Sequence, residues 1–226
     1  IRFGVENGVE AGLKQERAIF LSLRSSPEAA ALRHLFFAER AAPRPPALKD
    51  VASLPLRRVG VVGGGTMGVG IAAALRDADF PVTLIERDAE SVQRATKALK
   101  DIVEAALRRG KLTAEGAAAR LDGVIFDTDD AKLAACDLVI EAVFEDLAVK
   151  REVFARLGAL CRPDAILATN TSYLDPSLLA EILPHPERLI GLHFFSPAQV
   201  MKLLEIIPTA QTKPEVLATG FALARK

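Results

Sequence analysis

A glycine-rich stretch, VGVVGGGTMG at residues 59–68, limits the folds open to this chain more than any other feature. An apolar, β-branched run precedes Gly63, Gly65 and Gly68, and the residues that follow have the small side chains of a tightly packed helix. In a strand–turn–helix unit of this kind, the first glycine permits the turn and the second lets the backbone approach a pyrophosphate. The third lets the helix pack against the strand. The stretch therefore predicts the first βα unit of a dinucleotide-binding sheet.

Strand-like and helix-like segments continue to alternate after this unit. The hydrophobic pattern predicts strands at 59–62, 82–85, 124–126, 138–142, 165–168, 189–194 and 203–207. It predicts helices at 66–76 and 146–160, a long helix after Glu86, a shorter one capped by Thr113 and another that opens at Asp175 and Pro176. Apolar strands that alternate with amphipathic helices indicate a mostly parallel sheet covered on both faces. We therefore predict an α/β fold with a Rossmann-type doubly wound sheet.

The first 55 residues have a different character. They contain two helical patterns, at 7–24 and from Ser26 onward, where Ser26 is the predicted N-cap. Four prolines at 43, 45, 46 and 55 then favour an extended connector. We predict a helical segment with a Pro-rich linker at 1–55 and a Rossmann domain at 56–226. Because the chain starts at Ile1 and stops at Lys226 within a helical pattern, we expect it to be part of a longer protein.

Charge and composition exclude several classes of function. Lys plus Arg number 29 and Asp plus Glu number 29, so no overall charge attracts nucleic acid. Apolar runs stay well below the roughly 18 residues that a membrane helix needs, and the first residues lack the charged-then-apolar pattern of a signal peptide, so a cytoplasmic location is expected. Cys136 and Cys161 lie too far apart for a C-x-x-C unit. We expect buried, reduced thiols and no metal.

Glu86 follows the second predicted strand and completes the dinucleotide pattern. A carboxylate at this position hydrogen-bonds the adenosine ribose and repels the 2′-phosphate of NADP. Arg87 is able to accept such a phosphate, but Glu86 and Asp88 flank it with negative charge. The pattern therefore favours NAD.

A second group of polar residues follows the later strands. Ser172 comes after one strand in ATNTS, while His193 and Glu205 lie within apolar strands. A histidine among Leu and Phe is as readily a core residue as a functional one. However, a carboxylate in an apolar strand is costly unless it is paired. A His193–Glu205 pair would satisfy both side chains and make the imidazole a suitable general base.

Together these stretches resemble the NAD-binding domain of the L-3-hydroxyacyl-CoA dehydrogenases of fatty-acid β-oxidation. The resemblance spans roughly 57–208 and includes DLVIEAVFEDLAVKREVF and GLHFFSPAQVMKLLEIIP. The upstream ALRHLFFAERAA is similar to the linker of multifunctional enzymes in which an enoyl-CoA hydratase/isomerase module precedes the dehydrogenase. The resemblance implies an acyl-CoA substrate, an upstream hydratase module and a C-terminal helical domain outside this chain. In the family that domain makes dimer or interdomain contacts, so a homodimer is among the expected assemblies.

The resemblance also implies a role for each site residue. His193 matches the catalytic base, Glu205 its carboxylate partner and Ser172 the residue that hydrogen-bonds the reacting oxygen. Ser196 stands where many members have Asn, which leaves its role open. The expected cofactor-binding residues are Gly63, Gly65, Thr66, Met67, Gly68, Glu86, Arg87, Ala142, Glu145, Lys150 and Asn170.

Two other functions compete with the dehydrogenase. Ser172, His193 and Glu205 could form a hydrolase triad, although Ser172 lacks the G-x-S-x-G turn that presents a nucleophile. A dinucleotide-binding module without catalysis is the other alternative. Without the helical domain that covers the acyl-CoA, the chain by itself is expected to be weakly active or inactive. The pattern leaves open whether Arg108, Arg109 and Lys111 contact CoA or form a solvated helix end.

Overall fold

The computed structural model describes residues 1–43 and 45–226, which fall into two compact units, Ile1–Asp50 and Val51–Lys226. The first unit is helical, with α1 (Arg2–Asn7), α2 (Val9–Arg24), α3 (Pro27–Ala41) and a 3-10 turn at Pro46–Leu48. Gly8, at φ 89°, separates α1 from α2, so the helix predicted from residue 7 begins at Val9. Ser26 caps α3 as predicted, because its Oγ accepts a hydrogen bond from Ala29 N at 3.1 Å.

The segment predicted as an extended connector contains the 3-10 turn at Pro46–Leu48 and is therefore less extended than predicted. Pro46 occupies the first position of the 3-10 turn, where its fixed φ suits a helical start. Arg44, which belongs to the same predicted connector, lies outside the described residues.

The second unit contains a seven-stranded sheet in the order β3-β2-β1-β4-β5-β6-β7. Its strands are β1 (Val59–Val62), β2 (Val82–Ile85), β3 (Val124–Asp127), β4 (Leu138–Glu141), β5 (Ile166–Thr169), β6 (Leu189–Phe194) and β7 (Leu204–Pro208). Strands β1 to β6 pair in parallel, and β7 runs antiparallel to β6. Strand order reverses between β1 and β4, which creates a crevice outside their carboxyl ends.

Helices cover both faces of this sheet. They are α4 (Thr66–Asp77), α5 (Ala89–Arg108), α6 (Ala114–Asp122), α7 (Leu147–Leu160), α8 (Ser177–Ala180) and α9 (Pro214–Ala224). Alternate strand residues enter two separate apolar clusters: Val61 and Ile140 pack with α4 and α5, whereas Val139 and Leu167 pack with α7. Because side chains alternate along a strand, the two clusters lie on opposite faces. The predicted doubly wound α/β fold is confirmed.

The predicted strands lie within one or two residues of the observed ones, and β1, β2 and β6 have the predicted bounds. The helix predicted to open at Asp175 and Pro176 is only the single turn of α8. The predicted buried thiols are also confirmed: burial raises the pKa of Cys136 to about 11 and raises the pKa of Cys161.

A buried arginine holds the carboxyl end of α7. Arg188 is 2 % exposed, and its guanidinium donates to the carbonyl oxygens of Gly158, at 3.1 Å, and of Arg162. These carbonyls belong to the last turn of α7 and the loop after it, where a helix has no internal donors left. Arg188 therefore supplies the hydrogen bonds that this helix end lacks.

We expect Arg188→Met to lower the free energy of unfolding by about 2–4 kcal/mol, because it leaves several buried carbonyl oxygens without a donor. Urea denaturation followed by circular dichroism measures the change. Arg151→Met makes the same substitution on the exposed side of α7, where the nearest carboxylate oxygen, on Glu181, is 4.0 Å away. This control should cost less than about 0.5 kcal/mol. Equal losses in both variants would show that Arg188 has no special role.

Candidate active site

The glycine loop joins β1 to α4 at the crevice. Gly63 has φ 95°, and a Cβ there would lie 2.8 Å from the Ala142 carbonyl oxygen. A Cβ on Gly68 would lie 1.8 Å from the Gly63 carbonyl oxygen, which only a glycine avoids. By contrast, a Cβ on Gly65 would meet no atom within 4 Å, and Gly65 has an ordinary φ of −70°. Gly63 and Gly68 are therefore needed for the turn and its packing, whereas Gly65 opens onto free space.

The amino end of α4 differs from those of the next three helices. Asp88, Thr113 and Asp146 cap α5, α6 and α7 with side-chain hydrogen bonds. At α4 the N-cap is Gly65, which has no side chain to accept a hydrogen bond from the first turn. The backbone N–H groups of Thr66 and Met67 are left to a ligand or solvent, and the helix dipole adds a partial positive charge. The open space and these free donors fit a pyrophosphate.

Glu86 lies directly after β2, on the side of the crevice opposite β4. Its carboxylate accepts hydrogen bonds from Gly64 N at 2.7 Å and Arg87 N at 3.0 Å, which ties it to the glycine loop. Each oxygen keeps a further lone pair for the hydroxyls of a ribose. The Arg87 side chain is 81 % exposed and pairs with Asp88 at 3.1 Å. Negative charge therefore surrounds Arg87, as the sequence predicted.

On the other side of the crevice, a cavity of about 330 Å³ brings seven of the remaining predicted residues together. Its walls contain Met67, Ala142, Glu145, Lys150, Asn170, Ser172 and His193, with Val143, Phe194, Phe195 and Ser196. The cavity lies at the carboxyl ends of β4, β5 and β6 and continues from the glycine loop through Met67. Residues separated by more than a hundred positions in the sequence thus share one wall.

His193 and Glu205 form the predicted pair. They lie directly opposite each other in the antiparallel β6–β7 register, and the His193 Nδ1 atom is 2.7 Å from Glu205 Oε2. With its proton on Nδ1 donated to the carboxylate, His193 has a free Nε2 lone pair. The His193 side chain is 16 % exposed and lines the cavity.

Glu205 is less buried than its place in an apolar strand predicted. A buried carboxylate needs a partner, but the Glu205 side chain is 52 % exposed. It lies on β7, at the edge of the sheet, where nothing packs fully over it. The pair forms because the strand register places the two side chains opposite each other. The cost of burying an unpaired carboxylate contributes little.

The predicted residues Glu145 and Lys150 belong to a network of charged and hydroxyl groups behind the cavity, of which Glu141 was not found from the sequence. Lys150 Nζ lies 2.6 Å from Glu141 Oε1 and 3.0 Å from Glu145 Oε2. Thr169 donates to Glu141 at 2.7 Å, and Thr171 donates to Glu145. Glu141 ends the apolar run LVIE, the same signal that drew attention to Glu205, so it could have been found.

Glu145 is held ionised by this network. Burial by itself would raise the pKa of Glu145, but hydrogen bonds from Thr171, Lys150 and the Ser172 backbone N–H outweigh it and lower that pKa. The bond from Ser172 N is 3.0 Å long and fixes the loop that carries the Ser172 hydroxyl. Glu145 therefore positions Ser172 at the mouth of the cavity.

Asn170 joins the ends of two strands. Its Oδ1 accepts a hydrogen bond from Phe194 N at 2.9 Å, so it holds the end of β6 beside β5. Because Phe194 follows His193 directly, this bond also helps to orient the histidine.

The basic residues after α5 do not belong to this cavity. Arg109 and Lys111 instead line a second cavity of about 640 Å³, between α4, α5 and the loop at 197–200. Arg108 is exposed and lies 3.7 Å from Glu104, one turn earlier on the helix. Arg108, Arg109 and Lys111 are all exposed, and Arg109 and Lys111 also line this second cavity.

Comparison with known proteins identifies the family. A family model described as "3-hydroxyacyl-CoA dehydrogenase, NAD binding domain" matches residues 58–226. The chain therefore belongs to this family, which confirms the predicted family and NAD as the cofactor.

Individual relatives agree. The chain is 41% identical to the peroxisomal bifunctional enzyme of Cavia porcellus over 235 aligned positions, which cover all of the chain and 32% of that protein. It is 41% identical to a peroxisomal fatty acid beta-oxidation multifunctional protein of Oryza sativa, covering 95% of the chain and 30% of that protein. The structure of 3-hydroxybutyryl-CoA dehydrogenase from Escherichia coli matches 76% of the chain and 37% of its own length, at 40% identity and TM-score 0.73. The chain thus spans about a third of the curated relatives that it matches.

The relatives bear on location as well. Their names place them in peroxisomes, so the predicted cytoplasmic location has no support from them. Within residues 1–43 and 45–226, none of the helices has the length and hydropathy that crossing a membrane requires.

Proposed function

We propose that this chain contributes the NAD-binding and proton-abstracting half of an enzyme that oxidises L-3-hydroxyacyl-CoA to 3-ketoacyl-CoA. The observation that carries the proposal is the His193–Glu205 pair in the wall of a cavity that begins at the glycine loop. A general base within reach of a dinucleotide site is what oxidation of an alcohol requires. Membership of the dehydrogenase family supports the same reaction.

Each residue then has a role in the reaction. NAD, when bound, supplies the acceptor for the hydride that leaves substrate C3. His193 Nε2 takes the proton of the C3 hydroxyl, and Glu205 stabilises the resulting imidazolium through Nδ1. The Ser172 hydroxyl hydrogen-bonds the reacting oxygen, while Gly65 and the first turn of α4 hold the pyrophosphate. The C–O single bond becomes a carbonyl, and one hydride and one proton leave the substrate.

Geometry argues against the hydrolase alternative. A serine nucleophile needs a hydrogen bond to its histidine, and among the described residues none joins Ser172 to His193. Ser172 also follows β5 in a loop tied to Glu145, with no sharp turn into a helix. A dinucleotide module without catalysis would not need a base in its cavity wall.

The test is formation of NADH from L-3-hydroxybutyryl-CoA by the complete gene product that contains this chain. The D isomer serves as the control, since it presents its hydroxyl on the other face of C3. Absence of NADH with the L isomer would refute the proposal, and labelling of Ser172 by a fluorophosphonate would support the hydrolase instead.

Glu86 should make the site selective for NADH over NADPH. Fluorescence titration of the complete protein should show tighter binding of NADH, because the carboxylate repels a 2′-phosphate. In Glu86→Gln the ratio Kd(NADPH)/Kd(NADH) should fall by about tenfold, the effect of one nearby charge. Asp88→Asn, which removes a charge next to Arg87 but keeps Glu86, is the comparison. Equal affinities in the parent would mean that Arg87 decides the selectivity.

For the complete protein, we further propose an upstream hydratase activity and a helical domain that covers the acyl-CoA. The names of the bifunctional and multifunctional relatives support the first of these. Residues 1–55 would then be the tail of the hydratase module with its linker, and 56–226 the Rossmann domain. Weak activity of the chain alone and homodimer formation stay predictions.

A further inference from the structure

Three charged side chains behind the cavity share one ion-pair arrangement, which we call the Lys150 cluster: Glu141, Glu145 and Lys150. The ammonium lies within 3.0 Å of a carboxylate oxygen of each glutamate. Side chains of Glu141 and Lys150 are 0% and 1 % exposed. Buried charges of this kind are costly, and a neutral pair of similar size would serve the fold as well. The cluster therefore calls for a functional explanation.

Glu141 is held from every side. Its Oε1 accepts from Lys150 Nζ and from Val143 N at 2.8 Å, and its Oε2 accepts from Thr169 Oγ1. Lys150 and Glu145 belong to the cavity wall, but Glu141 does not. Any effect of Glu141 on a ligand must therefore act through Lys150 and through charge.

The charges do not cancel. Two carboxylates and one ammonium leave one net negative charge beside the cavity that contains His193. Glu145 stays ionised at neutral pH because its hydrogen bonds hold its pKa low. Little water screens charges at this depth, so the net charge acts over several ångströms. Without Glu141, Lys150 would neutralise Glu145 and the net charge would be zero.

Nicotinamide changes its charge in the reaction, from a cationic ring in NAD⁺ to a neutral ring in NADH. In the proposed function this ring shares the cavity with His193. We propose that Glu141 is a positioning residue that gives the Lys150 cluster its net negative charge and so favours NAD⁺ over NADH in the site. The net charge would then strengthen the binding of NAD⁺ before the reaction and favour the release of NADH after it. The inference rests on the proposed function.

The experiment compares the affinities of the two cofactor forms, without any turnover. NADH is titrated by its fluorescence and NAD⁺ by competition, in the complete gene product and its variants. Glu141→Gln should raise the ratio Kd(NAD⁺)/Kd(NADH) by about tenfold, the effect of removing one nearby charge in a poorly screened site. In the double variant Glu141→Gln with Lys150→Met, Glu145 alone restores the net negative charge. The ratio should then return to near the parent value, although both affinities fall.

Two controls separate charge from structure. Glu104→Gln removes the same charge from an exposed position on α5, and Thr169→Val removes a hydrogen bond to Glu141 without changing the charge. Both should leave the ratio at the parent value. A ratio that changes as much in Thr169→Val as in Glu141→Gln would overturn the inference.

The remaining outcomes are also decisive. If Glu141→Gln does not fold, Glu145→Gln takes its place, because it leaves the same zero net charge at a partly exposed position. The double variant, which lacks both buried charges, is then the reference. If Kd(NAD⁺)/Kd(NADH) is the same in Glu145→Gln and in the double variant, the inference is overturned. The proposed function survives in that case, because the cofactor still binds. A parent that binds neither cofactor form overturns both.

Discussion

His193→Gln is expected to lower turnover in the complete gene product by about 10²–10⁴-fold, the usual contribution of a general base. Glutamine keeps much of the size of the side chain, but it cannot take the hydroxyl proton. NADH affinity should change little, because the imidazole is paired with Glu205 and its role begins with the substrate. Initial rates of NADH formation from L-3-hydroxybutyryl-CoA, together with a fluorescence titration of NADH, measure both quantities.

A matched control is available within the chain. His185 lies in the proline turn LPHPER, where its Nδ1 atom is 3.7 Å from Glu187 and 44 % of its side chain is exposed. His185→Gln should leave turnover at the parent value. The assignment of His193 as the base fails if His193→Gln retains parent turnover, or if both substitutions reduce it equally.

The glycines of the loop should separate into two classes on substitution. Gly65→Val places its side chain in open space at an ordinary φ, so the free energy of unfolding should change by less than about 1 kcal/mol. The same side chain blocks the approach of the pyrophosphate to the first turn of α4. Hydrogen bonds to a charged group are worth about 1.5–3 kcal/mol each, so the loss of one or two should weaken NADH binding by about 100-fold.

In Gly68→Val, by contrast, we expect the main effect on stability. Its Cβ would lie 1.8 Å from the Gly63 carbonyl oxygen, so the turn or the helix must shift. We expect a loss of about 3 kcal/mol or more in the free energy of unfolding. Urea denaturation and NADH titration of both variants provide the comparison. Normal NADH affinity in Gly65→Val would show that the pyrophosphate does not approach this helix end.

Much of the fold could be predicted because it depends on interactions between near neighbours. Apolar runs placed β1, β2 and β6 within their observed bounds, and Ser26 and Thr113 were recognisable as helix caps. The positive φ of Gly63 and the close approach at Gly68 likewise follow from the glycine spacing. The predicted helix bounds were wrong at Gly8 and at α8, because the hydrophobic pattern there was too short to show where a helix begins or ends.

The site depended on contacts that no local pattern encodes. His193 meets Glu205 because β7 turns back antiparallel to β6 in one particular register. A slip of one residue would send the two side chains to opposite faces. The sequence suggested the pair from the cost of a buried carboxylate, yet Glu205 is half exposed, so strand register decided it.

By itself, the sequence determined the alternation of strands and helices, the dinucleotide loop and the residue types available for catalysis. These features follow from the periodicity and spacing of residues that are close in the sequence, because backbone geometry allows few conformations there. Only the tertiary structure decided the strand order, the cavity that unites Met67 with His193, and the burial of Glu141 beside Lys150. Such arrangements arise from the packing of distant segments, and burial and charge pairing exist only after those segments have met.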